Sequence, residues 1–341
     1  MPRATLRWSR LSDDDLLDLR LSDLPLNVEH PPLRKRIHRL YDTLAKRGLT
    51  RFRPHVWLST EWFSPDGVPG IAVPFYLAHP RLARLEKKQM LRVEGGSEAE
   101  CARVLRHEAG HAIDAAYRLH RRKRWRELFG SFRTRYPDVY TPKPSSTKFV
   151  QHLPFWYAQA HPAEDFAETF AVWLTPRSQW RQRYASWPAL KKLEYVDELM
   201  AEIADTPPPV RTRRTVEPVS RARATLADHY TQKKAHYAND RPEVYDDELR
   251  KLFSDDRRHK ARPTAAAFLR KNRRTLGEAV SRYSNLHPYT VDQVIGDMID
   301  RCKHLRLRLT TAEPRARHDA SLLLTVQTMN YVHSGGYPVA V

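Results

Sequence analysis

Two histidines and a glutamate are spaced in this sequence so that they can act on one metal ion. His107 and His111 are four residues apart, and Glu108 directly follows the first of them. On an α-helix, residues at this spacing lie one turn apart with their Cβ atoms about 5–6 Å from each other, so both imidazoles can bind the same ion. A carboxylate beside the first histidine can take a proton from a water molecule that the ion activates. The H-E-x-x-H pattern therefore predicts a hydrolytic metal site, provided that the segment is helical.

The surrounding residues predict that helix, over residues 97–119. Ser97 is a suitable N-cap, and Glu100, three residues later, can complete a capping box. Apolar residues then recur at steps of three and four, which gives the helix one buried face: Cys101, Val104, Leu105, Ala112, Ala115, Ala116 and Leu119. The alternative is a solvated helix face that carries two histidines by coincidence. The capped, amphipathic context favours the metal site.

A second helix is predicted within residues 157–174, YAQAHPAEDFAETFAVWL. Pro162 suits a first helical turn. Glu164 and Glu168 are four residues apart, on one side of a helix whose apolar stripe marks it as buried. Buried carboxylates are costly unless they are paired or bind a cation. We therefore expect one of them to be a metal ligand and the other to hold a ligand histidine; the alternative is a solvated acidic face.

The two segments together resemble a bacterial family of zinc-binding metallopeptidases and, more distantly, the lethal-factor-like gluzincins. The shared motifs are H-E-A-G-H-A-I-D and Y-A-x-x-H-P-x-E-D-F-A-E-T-F-A, and the resemblance extends over residues 8–204. It implies that His107, His111 and Glu164 bind Zn²⁺ and that Glu108 is the general base. It also implies that Glu168 bonds a ligand imidazole.

Three further residues are candidates around this site. The resemblance implies that Tyr157, seven residues before Glu164, donates a hydrogen bond to the developing oxyanion; the alternative is a core aromatic side chain. Asp114 follows His111 by three residues on the histidine face, so it can hold His111 or a neighbouring helix. His161 is an alternative ligand, but the proline after it favours a helix cap.

The elements around the motifs indicate an α+β fold. A helix is predicted over residues 33–48, and strands over 52–58 and 71–77, before the metal helix. The resemblance implies a zincin-like metallopeptidase domain, with a small mixed sheet, over residues 1–205. Residues 206–224, rich in proline and arginine, are predicted to be a linker. Residues 225–341 are predicted to be a basic, mainly α-helical C-terminal extension.

Composition limits the classes of partner and compartment. The 59 Lys and Arg residues exceed the 40 Asp and Glu residues, which gives a net charge of +19. Such a charge permits contact between the C-terminal region and nucleic acid or another acidic partner, although the same residues can simply solvate helix surfaces. The segment 120–126 is interpreted as the charged end of the metal helix. No apolar run approaches a membrane span, and Cys101 and Cys302 are predicted to be buried free thiols, which favours the cytoplasm.

The sequence thus predicts a zinc-dependent metallopeptidase that hydrolyses a protein or peptide substrate. One alternative is a non-enzymatic, zinc-containing regulatory protein that uses its basic surface to contact nucleic acid or a protein. A fourth protein ligand would favour that alternative, since structural zinc sites are closed. Another alternative is a regulatory protease that cuts one partner, such as a DNA-bound protein.

Overall fold

The computed structural model describes residues 8–137, 140, 142–143, 145–236, 245–284 and 286–333. These residues form two compact units. The first contains the described residues of Met1–Lys87 and Val93–Asp228, and the second contains those of Lys88–Arg92 and His229–Pro338. The predicted boundaries at residues 205 and 225 remain a proposal.

The fold is a mostly helical α+β arrangement with two small sheets, in agreement with the predicted class. In chain order, the elements are α1 (Asp13–Leu17), α2 (Pro31–Lys46), β1 (His55–Ser59), β2 (Gly70–Pro74), α3 (Pro80–Met90), α4 (Glu98–Tyr117), α5 (Lys123–Phe129), α6 (Pro162–Leu174), α7 (Trp180–Arg183), α8 (Leu190–Ile203), α9 (Leu226–His236), α10 (Asp246–Leu252), β3 (Phe253–Ser254), α11 (Ala265–Ser284), α12 (Pro288–His304), β4 (Arg308–Leu309) and α13 (Glu313–His333). No helix in the described ranges is long and apolar enough to cross a membrane.

The first sheet pairs β1 with β2 in parallel, with His55 opposite Gly70 and Ser59 opposite Pro74. An antiparallel bridge joins Phe63 to Ala72 of β2, so the small sheet is mixed. Both strands are shifted from the predicted ranges. β1 begins only after Pro54, and β2 ends at Pro74, after which the chain turns into a 3-10 segment. A proline lacks the N–H that a continuing ladder needs, which explains both limits.

Helix α4, which carries the H-E-A-G-H motif, starts as predicted and ends at Tyr117, two residues before the predicted end. Ser97 accepts a hydrogen bond from the Glu100 backbone N–H at 3.1 Å. Arg118 adopts a left-handed conformation with φ 53° and terminates the helix after Tyr117. The basic segment after it is therefore not the end of α4, as predicted, but a 3-10 turn followed by the separate helix α5. Two of its arginines form ion pairs with α8: Arg122 with Glu202 at 2.7 Å, and Arg124 with Glu198.

Helices α4 and α6 pack very closely, and a glycine of the H-E-A-G-H motif makes this possible. A Cβ atom at Gly110 would lie 2.7 Å from the Ala167 Cα and 3.0 Å from its carbonyl oxygen. Both are backbone atoms, and such a distance is well below ordinary van der Waals contact. The backbones can therefore approach only because position 110 has no side chain. This approach brings the histidines of α4 to the carboxylates of α6.

The predicted linker is bonded to the first unit along much of its length. The Val210 N–H donates to the Ala116 carbonyl at 3.1 Å. The Trp57 indole N–H donates to the Val216 carbonyl at 2.9 Å, and the Ser59 hydroxyl donates to the Glu217 carbonyl at 2.7 Å. These three bonds connect the segment to α4 and to β1.

The second unit has its own apolar core, formed mainly by α10 to α13. The largest fully buried side chains of this core are those of Phe253 and Phe268. The described part of this unit is mostly helical, as predicted, and α12 begins at Pro288 with His287 as its N-cap. Cys101 and Cys302 are both free and buried, as predicted.

Candidate metal centre

Three potential ligand atoms converge where α4 meets α6. Glu164 Oε2 lies 3.0 Å from His107 Nε2 and 3.1 Å from His111 Nε2. The two imidazole nitrogens are 3.1 Å from each other. His107 and Glu164 are buried, and His111 is partly buried. Two imidazoles and one carboxylate are a donor set that suits Zn²⁺.

Glu168 fixes the orientation of the first histidine. Its Oε1 lies 2.8 Å from His107 Nδ1, and its side chain is fully buried. Its Oε2 accepts hydrogen bonds from the backbone N–H groups of His152 and Leu153, at 3.2 and 2.8 Å. A carboxylate in this position accepts the Nδ1 proton and leaves Nε2 of His107 with a free lone pair toward Glu164. The structure thus places Glu168 where the sequence predicted a carboxylate that holds a ligand imidazole.

Glu108 faces the same space with an unsatisfied oxygen. Its side chain is buried, and its Oε2 has no hydrogen-bond partner among the described residues. The turn after β1 lies against this position, because the Ser64 hydroxyl donates to the Glu108 backbone carbonyl at 3.1 Å. A buried carboxylate oxygen without a donor is costly in a purely structural role. It is suited to accept a proton.

The electrostatics of the centre favour a positive charge between the three donors. Burial lowers the pKa of His107, but its hydrogen bonds to Glu164 and Glu168 outweigh burial and hold that pKa well above its usual value. Burial raises the pKa of Glu164, but the charge of His111 and the hydrogen bond from His107 outweigh it, so the pKa of this carboxyl is well below its usual range. Glu164 therefore stays ionised beside groups that must carry a positive charge or bind a cation.

Tyr157 is placed beside the first ligand histidine. It belongs to the 3-10 segment Pro154–Gln159, and the centroid of its ring is 5.5 Å from that of His107. Its hydroxyl makes no hydrogen bond with any residue in the described part of the chain. Burial and the nearby carboxylates of Glu164 and Glu108 raise the pKa of Tyr157 well above its usual value. The phenol therefore remains protonated and can act as a donor.

Asp114 makes no hydrogen bond with His111 among the described residues. Its carboxylate accepts a hydrogen bond from the backbone N–H of His120 at 2.8 Å and lies 2.5 Å from His120 Nδ1. Of the two roles that its spacing suggested, holding His111 or holding a neighbouring element, the structure does not show a bond to His111. The cause is the left-handed turn at Arg118, which folds the chain back over the end of α4. Asp114 anchors that turn.

His161 is the N-cap of α6, as the proline after it predicted. Its Nδ1 accepts from the Ala163 backbone N–H at 3.1 Å. Its Nε2 therefore carries the proton and donates to the Thr134 carbonyl at 2.8 Å. Both ring nitrogens are used in these bonds, so His161 is not a candidate ligand.

Sequence reasoning missed one residue that contacts a candidate ligand. The Tyr136 hydroxyl donates to Glu164 Oε1 at 2.9 Å. Tyr136 lies between α5 and α6, in a stretch of the sequence where no periodicity indicates which side chains face the site. Its only sequence signal is a tyrosine in a long loop before the second motif.

The residues present fit a divalent cation. The three donor atoms of His107, His111 and Glu164 lie within 4.8 Å of one another. His107 is oriented through its second nitrogen, and Glu164 is held through its second oxygen. Ligands supported in this way are typical of a metal site rather than of a fortuitous cluster.

Residues 102–186 match a protein family described as "Putative zinc-binding metallo-peptidase". The matched stretch contains both motifs and all of the candidate site residues, although it is shorter than the stretch 8–204 over which the motifs suggested a resemblance. No curated protein and no solved structure matches the chain. The part of the chain that carries the candidate centre is therefore similar to zinc-binding metallopeptidases.

Proposed function

We propose that this protein is a zinc-dependent metallopeptidase of the gluzincin type, with His107, His111 and Glu164 as zinc ligands and Glu108 as general base. The observation that carries the proposal is the convergence of the three donor atoms beside a buried, unpartnered oxygen of Glu108. The family match over residues 102–186 supports the same activity.

The number of donors favours catalysis over a structural role. Structural zinc sites are closed by four protein ligands, whereas catalytic sites keep one position open. Within the described residues, the cluster of His, Cys, Asp and Glu donors has three members. This observation favours an enzyme over the alternative of a non-enzymatic zinc protein.

The chain's own groups supply the proton transfers and the positioning. Bound to these donors, zinc would supply Lewis acidity, which lowers the pKa of water and polarises a peptide carbonyl. Glu108 takes the proton of the attacking water on its unpartnered oxygen and passes it to the leaving amine. Tyr157, whose phenol stays protonated, donates a hydrogen bond to the carbonyl oxygen as it becomes negative. Glu168 keeps the His107 ring in its tautomer and orientation throughout.

The substrate is proposed to be a protein or peptide, and the fold around the site is proposed to be zincin-like. In that fold family the edge of the sheet binds an extended substrate through its backbone. We propose that the corresponding edge here is the segment around Phe63, which bridges to Ala72 and leads to Ser64, whose hydroxyl is bonded to α4.

The basic residues of the second unit do not favour a nucleic-acid partner. Several of the arginines that suggested such a surface are engaged in ion pairs within the unit. Arg273 binds Asp292 through two nitrogens, at 2.5 and 2.6 Å, and Arg301 binds Asp246 in the same way, at 2.7 and 2.5 Å. Arginines held by carboxylates in this way are less available to neutralise phosphates.

The proposed function is tested by metal content and peptide cleavage in four proteins. Zinc is measured by elemental analysis, and cleavage is measured on a diverse peptide library. The variants are Glu108→Gln, Glu164→Ala and a matched control, Glu98→Gln, which makes the same change in the first turn of α4 at an exposed ion pair with Arg39.

We expect one zinc and cleavage for the wild type and for Glu98→Gln. Glu108→Gln should keep zinc and lose nearly all cleavage, because a neutral amide cannot accept the proton. Glu164→Ala should lose zinc. A wild type that binds no transition metal would refute the proposal. A wild type that binds zinc but cuts no peptide of the library would favour either the binding-protein alternative or a protease that cuts a single partner.

A further inference from the structure

Glu164 has two carboxylate oxygens, and the structure gives them different partners. Oε2 lies between the two histidine nitrogens, at 3.0 and 3.1 Å. Oε1 accepts a hydrogen bond from the Tyr136 hydroxyl at 2.9 Å. A carboxylate whose second oxygen is held by a donor cannot easily rotate both oxygens toward one ion.

Tyr136 is itself held in place by the N-cap of α6. Its ring stacks on the His161 ring, with the centroids 3.7 Å apart and the planes at 17°. His161 is fixed in turn by its bonds to the Ala163 N–H and the Thr134 carbonyl. The residue that begins α6 therefore positions both the helix that carries Glu164 and the tyrosine that bonds to Glu164.

Tyr136 connects the buried candidate ligand to a more exposed part of the chain. It is 40% exposed, whereas Glu164, whose Oε1 accepts its hydrogen bond, is 5% exposed. The hydrogen bond from Tyr136 thus reaches a carboxylate that is itself shielded from solvent.

We infer that Tyr136 is a positioning residue for the metal: it holds Glu164 Oε1 so that Glu164 binds through Oε2 alone. This inference rests on the proposed function, because it needs the three donors to bind an ion. Single-oxygen binding by Glu164 keeps the number of protein donor atoms at three and leaves room for water and substrate. Without the Tyr136 hydroxyl, both oxygens of Glu164 are free to turn toward the ion and occupy that room.

Residues 134–136, which follow α5, are therefore coupled to the centre. The Thr134 carbonyl is bonded to His161, and the Tyr136 hydroxyl is bonded to Glu164. A change at these residues should alter metal binding, although none of them is one of the three candidate ligands.

The test is Tyr136→Phe, which keeps the ring that stacks on His161 and removes only the hydroxyl. The matched control is Tyr117→Phe, which removes a phenol hydrogen bond of 2.7 Å to the Thr206 carbonyl, at the far end of α4. Zinc affinity is measured by competition with a chromophoric chelator. The visible absorption of the Co²⁺-substituted proteins is recorded as well, since four-coordinate Co²⁺ absorbs more strongly than five-coordinate Co²⁺.

We expect Tyr136→Phe to weaken zinc binding by about 10-fold or more, the effect usual for a group that supports a ligand. Its Co²⁺ spectrum should lose intensity, because Glu164 would bind through both oxygens. Tyr117→Phe should match the wild type in both measurements.

The results distinguish this inference from the proposed function. If the wild type binds zinc and Tyr136→Phe matches it in affinity and spectrum, Tyr136 does not position Glu164 and the inference is wrong. A loss of affinity without any spectral change would also overturn it, because the number of metal-bound oxygens would then be unaltered. If the wild type itself binds no metal, the proposed function fails first and this inference fails with it.

Discussion

Gly110→Ala tests the central structural claim, that the centre exists because α4 and α6 approach more closely than side chains normally allow. The added Cβ would lie 2.7 Å from the Ala167 Cα. Carbon atoms in contact are usually about 3.5–4.0 Å apart, so the helices must separate by about 1 Å. The nearest atoms to the added Cβ, which are the Cα and the carbonyl oxygen of Ala167, belong to the backbone. The strain therefore cannot be relieved by a rotamer change.

Two opposing effects determine the stability of this variant. Overpacking a tight interface costs about 1–3 kcal/mol, and a contact with backbone belongs at the upper end of that range. Alanine is more favourable than glycine inside a helix by about 1 kcal/mol. The expected net loss of unfolding free energy is therefore about 2 kcal/mol, which corresponds to a decrease in Tm of about 4–8 °C for a unit of this size.

The effect on metal binding should be larger than the effect on stability. His107 and His111 lie on α4, whereas Glu164 lies on α6, so a separation of the helices moves the ligands apart. A functional site tolerates a displacement of only about 0.5 Å. We expect the zinc dissociation constant of Gly110→Ala to increase by at least about 10-fold, as for other disturbed metal sites.

Gly277→Ala is the matched control. Gly277 lies inside α11 of the second unit, where an added Cβ would meet only the Ile295 Cδ1 at 3.6 Å, an ordinary contact. This variant should be more stable than the wild type by about 0.5–1 kcal/mol and should bind zinc normally. The assays are thermal unfolding and chelator competition. If Gly110→Ala retained wild-type Tm and zinc affinity, or if both variants lost stability equally, the close approach of α4 and α6 would not be what forms the centre.

Three other perturbations have expected outcomes. In Glu168→Gln, a single acceptor oxygen would have to serve three donors: His107 Nδ1 and the backbone N–H groups of His152 and Leu153. Zinc affinity, measured by chelator competition, should therefore fall about 10- to 100-fold. An unchanged affinity would contradict the role of Glu168. Zinc affinity should rise with pH, because the pKa of His107 is raised by its carboxylate partners and its proton must leave on binding. The release of one proton changes the affinity by about 10-fold per pH unit below that pKa, which zinc titrations between about pH 6 and 8 can measure. An affinity that did not change with pH would contradict this prediction. Ser97→Ala removes the N-cap of α4 and should cost about 0.5–2 kcal/mol in thermal unfolding, whereas no loss would show that the cap is dispensable.

Local signals in the sequence predicted the parts of the centre that depend on helical periodicity. The pairs His107–His111 and Glu164–Glu168 each place two side chains on one face of a helix, and the structure brings these faces together. Ser97 caps α4 because a serine before an amphipathic run satisfies an otherwise free N–H. Such features depend on residues three or four apart, so the sequence alone contains them.

Element ends were less predictable, because they depend on backbone conformations that carry no strong residue signal. Arg118 ends α4 in a left-handed conformation that usually favours glycine. The periodic pattern continues past it to Leu119, which is why the predicted helix was too long. The same turn explains the position of Asp114, whose spacing suggested a contact with His111 or with a neighbouring helix. Because the chain folds back after Arg118, the Asp114 carboxylate accepts a hydrogen bond from the backbone N–H of His120.

Tyr136 shows why a search for residue spacing can miss a side chain that contacts a candidate site. It lies 28 residues before Glu164, in a segment without periodicity, and no local pattern relates the two. Their contact depends on His161, which accepts the Ala163 N–H at one nitrogen, donates to Thr134 at the other and stacks on Tyr136 with its ring face. The sequence indicated that His161 is a cap, with a metal ligand as the alternative, and gave no sign of its contact with Tyr136. A histidine cap differs from a serine or aspartate cap in having a second nitrogen and an aromatic face, and these can organise a distant loop. In the candidate centre, the spacing of residues along each helix thus positions the candidate ligands. The contacts of His161, the N-cap of α6, position the supporting residue Tyr136.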